Sequence, residues 1–242
     1  RASRNDVLDG TTKADDGEPF IVAGMPMYNE EETIGTVVTL ALKYADAVIC
    51  VDDGSSDSSA RIAEACGATV IRHRVNRGYG GALKSLFIKA IEMKATALVV
   101  LDSDGQHEVA DIPLLLKPIL DKQADFVIGS RYLNGGKNTQ PLLRFLISFI
   151  GNKLIKYFLN INISEFTTSY RGFNLKKLNN FHLKNIKGKG YSFFMETVVV
   201  LYRLGFDCKE FPIIFKDRKF GKSKIPKIEI FRTFKNLIYL IF

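Results

Sequence analysis

The chain has 242 residues, of which 46% are hydrophobic, and a formal net charge of +8 at neutral pH. These values are ordinary for a globular protein of one sizeable domain or two small ones. No apolar run reaches the ~18–20 residues of a membrane span, and no signal peptide is visible. The three cysteines are scattered beside apolar neighbours, which favours reduced, buried thiols in a cytosolic setting over a metal site or a disulfide framework.

Strands and helices alternate along the first part of the chain. Short apolar runs predict strands over residues 20–26, 47–53, 68–72, 97–102 and 125–130. The segments between them predict helices over residues 29–44, 57–66, 78–94 and 111–122, the first opened by an N-cap at Asn29. This alternation indicates a doubly wound, largely parallel sheet, in which ligands bind beyond the carboxyl ends of the strands.

The pattern changes after residue 140. The sequence predicts an apolar helix with basic residues over 142–159, a strand over 168–173, a helix over 194–204 and a strand over 208–215. A basic, glycine-containing loop follows at 217–224, and residues 225–242 are amphipathic. We therefore expect a mobile tail or vector-derived stretch at 1–19, one main domain at 20–224, and an interface helix at 225–242. Native membrane helices beyond residue 242 are compatible with this pattern.

Charge is distributed unevenly along the chain. Residues 1–140 carry 15 basic and 20 acidic side chains, whereas residues 141–242 carry 19 and 6. A basic half rich in Phe, Ile and Leu suggests an anionic partner, either a nucleic acid or an anionic membrane surface. A solvated basic face, or packing of the amphipathic helices on the domain core, would produce the same pattern. The absence of any nucleic-acid-binding motif favours the membrane surface over nucleic acid.

A pair of carboxylates follows the most apolar strand. Asp102 and Asp104 come directly after it, Gly105 ends it, and Gln106 stands just beyond. On an extended backbone the two carboxylates point to the same side. Such oxygen donors suit Mg²⁺ or Mn²⁺ carrying a diphosphate, because these ions keep few protein ligands. The alternative is a solvated acidic turn.

Six motifs in order resemble those of the family 2 glycosyltransferases. They are Pro26-Met27-Tyr28-Asn29-Glu30, Val51-Asp52-Asp53-Gly54-Ser55-Ser56-Asp57, Asn76-Arg77-Gly78-x-Gly80, Asp102-Ser103-Asp104-Gly105-Gln106-His107, Gly129-Ser130-Arg131 and Arg218-x-x-Gly221-x-Ser223-Lys224. More narrowly, residues 20–224 resemble the polyprenyl-phosphate enzymes of that family, the group that includes dolichyl-phosphate mannose synthase. The resemblance implies a GT-A fold, which is a Rossmann-like, mostly parallel sheet flanked by helices, with C-terminal amphipathic interface helices.

The resemblance also implies a site for a nucleotide-diphosphate sugar at the strand ends. The residues it assigns to this site are Pro26, Tyr28, Glu30, Asp52, Asp53, Asp102, Ser103, Asp104, Arg218 and Lys224. Tyr28 would stack on the base, and Arg218 and Lys224 would close over the diphosphate. Asp102, Asp104 and Gln106 would hold Mg²⁺ or Mn²⁺. The structural alternatives are helix capping for Glu30 and Asp52-Asp53, and a solvated basic turn for the loop.

For the acceptor, the resemblance implies a polyprenyl (dolichyl) phosphate bound by Arg131, Arg144 and Ser148. Arg144 and Ser148 are four residues apart and share one helical face, although a charge at the start of an apolar helix would explain Arg144 equally well. The implied catalytic residues are Asp104, Arg131 and Glu196. The implied reaction is an inverting transfer of a hexose at the cytoplasmic face of a membrane, with GDP-mannose as the first expected donor and UDP-glucose or UDP-N-acetylglucosamine as others.

Two alternative functions remain open from the sequence. A family 2 enzyme with a saccharide hydroxyl acceptor would need a general base, for which Glu196 is the candidate. A non-catalytic nucleotide-sugar-binding protein is the alternative from another class. The intact Asp102-x-Asp104 motif and the basic loop argue against it.

Overall fold

The computed structural model describes residues 17–139, 142–178, 186, 191–217 and 238. These residues form a central sheet flanked by helices. The strands are β1 (Ile21–Met27), β2 (Ala47–Asp52), β3 (Thr69–Arg72), β4 (Ala97–Val100), β5 (Phe126–Ser130), β6 (Lys137–Asn138), β7 (Arg171–Asn174), β8 (Cys208–Pro212) and β9 (Ile214–Phe215). The α-helices are α1 (Ile34–Ala41), α2 (Ser59–Ala65), α3 (Gly78–Glu92), α4 (Ile112–Leu120), α5 (Leu142–Leu159) and α6 (Tyr191–Arg203).

Seven strands form the main sheet in the order β3-β2-β1-β4-β7-β5-β8. Every neighbouring pair is parallel except those of β7, which runs antiparallel to β4 and β5. Strands β6 and β9 pair separately. The predicted mostly parallel sheet is confirmed. Because β7 runs in reverse, its amino end lies at the same edge of the sheet as the carboxyl ends of β4 and β5.

Both faces of the sheet are covered by apolar side chains. All residues of β2, β4 and β5 are buried, which is why these strands read as continuous apolar runs rather than alternating ones. Glycines permit close packing at two places. A Cβ on Gly24 would lie 2.5 Å from the Leu86 side chain, and one on Gly172 would lie 2.8 Å from Leu116. Helices α3 and α4 therefore approach the sheet backbone closely.

Several predicted elements differ from the structure, including the strand predicted over 168–173, which is observed as β7 over Arg171–Asn174. Helix α1 begins at Ile34, without a side-chain cap, so the predicted N-cap at Asn29 is wrong. Strand β4 ends at Val100, so Asp102 and Asp104 lie on a loop and not on extended backbone. The predicted strand over 208–215 is divided at Ile213 into β8 and β9, which belong to different sheets. At Asn29, hydrogen bonds with Ser55 and Ser56 on another loop override the local pattern.

Helix α5 confirms the predicted helix over 142–159. Within the residues that the structure describes, no helix is long and apolar enough to cross a membrane. The predicted amphipathic segment 225–242 lies outside the described residues, apart from Ile238.

Candidate active site

The loops at the carboxyl edge of the sheet carry most of the residues that the sequence singled out. Tyr28 and Glu30 follow β1, Asp53 follows β2, Asp102 follows β4, and Arg131 follows β5. Because these four strands run in one direction, their ends meet at one edge. The structure thus brings together side chains that are up to about a hundred residues apart in the sequence.

The loops after β1 and β2 brace each other by hydrogen bonds. The Asn29 side-chain oxygen accepts from the Ser56 amide at 2.8 Å, and the Asn29 amide donates to Ser55 Oγ at 2.9 Å. The Glu30 amide donates to Ser59 Oγ at 2.7 Å. Asn29 has a positive φ of 53°, which asparagine tolerates better than most residues. Asn29 therefore fixes the loop beside Tyr28, which is 38% exposed, instead of capping α1.

The two adjacent carboxylates after β2 have different surroundings. Asp52 Oδ1 accepts from the Ser55 amide at 2.9 Å, in the turn before α2, and the helix itself has its N-cap at Ser58 without a side-chain cap, so Asp52 does not cap it. Asp53 Oδ1 accepts from His73 Nδ1 at 2.7 Å and from the Arg77 amide at 2.9 Å. His73 Nε2 in turn contacts Ser85 Oγ at 2.8 Å. His73 thus holds Asp53 in place, a role that the sequence did not reveal.

Asp102 is surrounded by hydrogen-bond donors. Tyr79 donates to its Oδ1 at 2.8 Å, Ser169 donates to its Oδ2 at 2.6 Å, and His107 Nε2 lies 3.3 Å from Oδ2. Burial raises the pKa of Asp102, but the hydrogen bonds and charge of His107, with the bonds from Ser169 and Tyr79, outweigh it and lower that pKa. Asp102 is therefore ionised at neutral pH, and 26% of its side chain remains exposed.

The donor set after β4 fits a hard divalent ion. Asp104 is 6% exposed, and its Oδ1 accepts from the Gln106 amide at 3.0 Å. The Gln106 side-chain nitrogen donates to the Lys216 carbonyl at 2.8 Å, which leaves its side-chain oxygen as the atom available to a metal. No group of three or more His, Cys, Asp or Glu side chains capable of holding a metal occurs in the described ranges. The two carboxylates and one amide oxygen suit Mg²⁺ or Mn²⁺ whose other ligands are phosphate and water.

Arg131 and Ser148 lie together, as predicted, in a cluster of polar side chains. Arg131 Nε donates to Glu165 Oε2 at 2.7 Å, and its Nη2 donates to Glu165 Oε1 at 3.0 Å and to Thr167 Oγ1 at 2.9 Å. Arg131 Nη2 also lies 3.4 Å from Ser148 Oγ. Tyr132 donates to Ser148 Oγ at 2.7 Å. We call Arg131, Tyr132, Ser148, Glu165 and Thr167 the Arg131 cluster.

The charge of Arg131 is matched by Glu165, which the sequence did not single out. Glu165 is fully buried. Burial raises its pKa, but the Arg131 charge and the hydrogen bonds from Arg131 and Thr167 offset this and hold the pKa below its usual range. Both partners are therefore charged, and the guanidinium has a fixed orientation, since two of its nitrogens bond the same carboxylate.

The loop 164–169 joins the Arg131 cluster to Asp102. It carries Glu165 and Thr167 at one end and Ser169 at the other. Glu210 of β8 accepts from the Ser164 and Glu165 amides, at 2.9 and 3.0 Å. Arg171 is 1% exposed and donates to three main-chain carbonyls, those of Thr168, Phe194 and Phe166. Burial lowers the pKa of Arg171 to about 10, so it remains charged at neutral pH and anchors the loop.

The structure also locates four further residues that were predicted to belong to the site. Ser103 is buried and its hydroxyl donates to the Pro26 carbonyl at 3.0 Å, so these two residues join the loop after β4 to β1. Glu196 is 4% exposed within α6. The backbone of Arg144 lies in α5, one turn before Ser148. Arg218 and Lys224 lie outside the described residues, so their predicted roles stay predictions.

Comparison with known proteins identifies the class of this protein. Residues 23–181 match the family model "Glycosyl transferase family 2", which covers well over half of the chain. The chain belongs to this family and is a glycosyltransferase. The predicted family is therefore confirmed.

Two curated relatives and one solved structure refine this class. The chain is 34% identical over 212 residues to an undecaprenyl-phosphate mannosyltransferase of Micrococcus luteus, covering 83% of this chain and 85% of the relative. It is 30% identical to a polyprenol monophosphomannose synthase of Mycolicibacterium smegmatis, with 83% and 79% covered. The crystal structure of glucosyl-3-phosphoglycerate synthase from Mycobacterium tuberculosis, in complex with Mn²⁺, UDP and glucosyl-3-phosphoglycerate, superimposes with a TM-score of 0.72 at 18% identity, covering 92% and 80%. This likeness confirms the predicted GT-A fold.

Proposed function

We propose that this glycosyltransferase moves a hexose from a nucleotide-diphosphate sugar to a polyprenyl phosphate, such as a dolichyl phosphate. The names of the Micrococcus and Mycolicibacterium relatives support a polyprenyl-phosphate acceptor and mannose as the sugar. GDP-mannose is therefore the first donor to test, followed by UDP-glucose and UDP-N-acetylglucosamine. The proposed site of action is the cytoplasmic face of a membrane.

One observation carries the acceptor assignment: helix α5 combines hydrogen-bond donors for an anion with an exposed apolar face. Ser148 of α5 belongs to the Arg131 cluster, which lies at the sheet edge. The outer face of the same helix exposes apolar side chains at intervals of three or four residues, so they lie on one side. These are Leu146, Ile150, Leu154, Tyr157 and Phe158. A polyprenyl phosphate has the matching chemistry, since its head is anionic and its tail apolar.

The proposed transfer uses the two groups of side chains at the sheet edge. Asp53 and Tyr28 hold the nucleoside, because a carboxylate accepts from base N–H and ribose hydroxyl groups and an aromatic ring stacks on a base. Asp102, Asp104 and Gln106 hold the divalent ion. When bound, Mg²⁺ or Mn²⁺ neutralises charge on the diphosphate leaving group. Arg218 and Lys224 of the basic loop are proposed to add cationic donors to the same group.

The bond changes need no strong general base. A phosphate oxygen of the acceptor attacks the anomeric carbon in line, a new carbon–oxygen bond forms, and the bond to the diphosphate breaks with inversion. The acceptor phosphate is already ionised at neutral pH, so no proton has to be removed before attack. Arg131, Arg144 and Ser148 orient that phosphate, as the planar arginine fork and a hydroxyl donor can do.

A transfer assay tests the proposed function. The protein is incubated with Mg²⁺ or Mn²⁺, a polyprenyl phosphate, and GDP-mannose, UDP-glucose or UDP-N-acetylglucosamine in radiolabelled form, and the label in the lipid phase is counted. We expect one donor to label the lipid. Absence of label with every donor would contradict the proposal. Glu196→Gln separates the saccharide-acceptor alternative, because loss of a general base would be severe there and mild for a phosphate acceptor.

The exposed face of α5 also supports contact with a membrane surface. Lys153 and Lys156 lie on the same helix, and the Lys153 ammonium lies 4.6 Å from the centre of the Phe149 ring. Apolar side chains that enter the interface and basic groups at the headgroups are the usual features of a peripheral membrane helix. We propose that α5 lies on the membrane while the sheet edge faces the acceptor headgroup.

Charged substitutions on α5 test this orientation. The double variant Ile150→Glu/Leu154→Glu should bind anionic vesicles at least about tenfold more weakly, since it loses apolar burial and adds charge repulsion. Co-sedimentation at low ionic strength measures the loss, and added salt should weaken binding of the unmodified protein. Leu114→Glu, a change at an equally exposed leucine of α4, is the matched control and should bind as before. Equal binding by the double variant would contradict the proposed orientation.

A further inference from the structure

The hydroxyl of Ser148 receives hydrogen bonds from two neighbours in the Arg131 cluster. Tyr132 donates its phenolic proton to Ser148 Oγ at 2.7 Å. Arg131 Nη2, which can only donate, lies at 3.4 Å from the same atom. A serine hydroxyl has two acceptor lone pairs and one proton. The two neighbours therefore occupy its acceptor capacity and leave its proton to be donated elsewhere.

No described residue accepts that proton in the structure. Ser148 is half-buried, so part of this residue is accessible to a molecule that binds beside the cluster. Thr167 Oγ1, the other hydroxyl beside Arg131, instead donates to Glu165 Oε1 at 2.8 Å. Within the described part of the chain, Ser148 is thus the hydroxyl of the cluster whose proton is not donated to a protein group.

The ring of Tyr132 is held in a defined position beside Ser148 by contacts with neighbouring side chains. Its centre lies 6.1 Å from that of Phe145 and 5.5 Å from that of Phe149, both on α5. The Arg131 guanidinium lies 5.3 Å from the same ring centre. Burial raises the pKa of Tyr132, so the phenol keeps its proton at neutral pH and remains a donor.

We propose that Tyr132 is a positioning residue of the acceptor site, which directs the Ser148 proton toward the acceptor phosphate. The inference rests on the proposed function, because it deepens the assignment of Ser148 to the phosphate. A phosphate oxygen only accepts hydrogen bonds at neutral pH, so a hydroxyl restricted to donation matches it. An acceptor hydroxyl, which must also donate, gains less from such a partner.

Tyr132→Phe, Ser148→Ala and the double variant test the proposal. The phenylalanine keeps the ring contacts and removes only the hydroxyl. We expect Tyr132→Phe to raise KM for polyprenyl phosphate about fivefold, which matches the loss of one ordinary hydrogen bond. The value of kcat and the affinity for the nucleotide sugar, measured by calorimetry, should stay unchanged. Tyr44→Phe, a partly exposed tyrosine between α1 and β2, is the matched control.

The double variant decides whether Tyr132 acts through Ser148. If it does, Tyr132→Phe should add nothing to the effect of Ser148→Ala, since the hydroxyl that it orients is already absent. Independent effects that multiply, or an unchanged KM in Tyr132→Phe with an increased KM in Ser148→Ala, would overturn this inference alone. An unchanged KM in Ser148→Ala would overturn the acceptor-site assignment, and the absence of lipid product from the unmodified protein would overturn the proposed function.

Discussion

Asp102→Ala is expected to reduce transfer by about a thousandfold or more, and Asp104→Ala should have a similar effect. In the proposed metal site each substitution leaves one of the two described carboxylates, so a divalent ion would be poorly held against the diphosphate. An ion that neutralises leaving-group charge contributes several kcal/mol to transition-state stabilisation, which corresponds to this factor. Initial rates with saturating donor, measured in excess Mg²⁺ or Mn²⁺, give the loss.

Chelation provides the companion measurement for the metal site. Activity should vanish in EDTA and return when Mn²⁺ or Mg²⁺ is added in excess. Asp121→Ala removes an exposed carboxylate at the end of α4, which forms a surface ion pair with Lys117, and should leave the rate unchanged. Full activity in the presence of the chelator would eliminate the metal assignment, whatever the effect of the substitutions.

Glu165→Ala is expected to lower the free energy of unfolding by about 3–5 kcal/mol. The substitution leaves the Arg131 charge buried without its partner, and removal of one member of a buried ion pair costs this much. The Arg131 side chain is 9% exposed and that of Glu165 is fully buried, so solvent cannot replace the lost carboxylate. Chemical denaturation at neutral pH measures the change.

Two further variants separate charge pairing from general disruption. Arg131→Met/Glu165→Met removes both charges and should be less destabilised than Glu165→Ala, because no uncompensated charge remains. Glu92→Ala, which removes an exposed partner of Lys89, should change stability by less than about 0.5 kcal/mol. If the double variant were the least stable protein of the series, the pair would not be the source of the effect.

The difference in unfolding free energy between the unmodified protein and Glu165→Ala should change with pH in a defined direction. The pKa of Glu165 is lower in the folded protein than its ordinary value of 4.5, so its contribution to stability is complete above that value. As the pH falls below 4.5 and through the folded-state pKa, protonation removes this contribution. The stability gap between the unmodified protein and Glu165→Ala should therefore narrow in acid.

The order of most strands and helices along the chain, and the position of the main acidic groups after the strands, could be predicted from local sequence patterns. Apolar runs such as the one before Asp102 and glycines such as Gly105, which has a φ of +74°, are local features. Local features of this kind can be predicted from the sequence because they depend on a few consecutive residues. The family resemblance added predicted roles for the strand-end residues, and the family and the fold were both confirmed.

The polar residues that support those acidic groups could not be predicted, because they come from distant parts of the chain. Glu165 meets Arg131 across 34 residues of sequence, and Ser169 meets Asp102 across 67. His73 and Arg171 read as ordinary basic residues of the chain, yet both are buried. A contact between residues that are distant in the chain produces no periodic pattern in the sequence. The burial of a polar side chain depends on hydrogen-bond partners that only the folded chain brings close. The predicted cap at Asn29 was wrong for the same reason, because Ser55 and Ser56 on a separate loop take its hydrogen bonds.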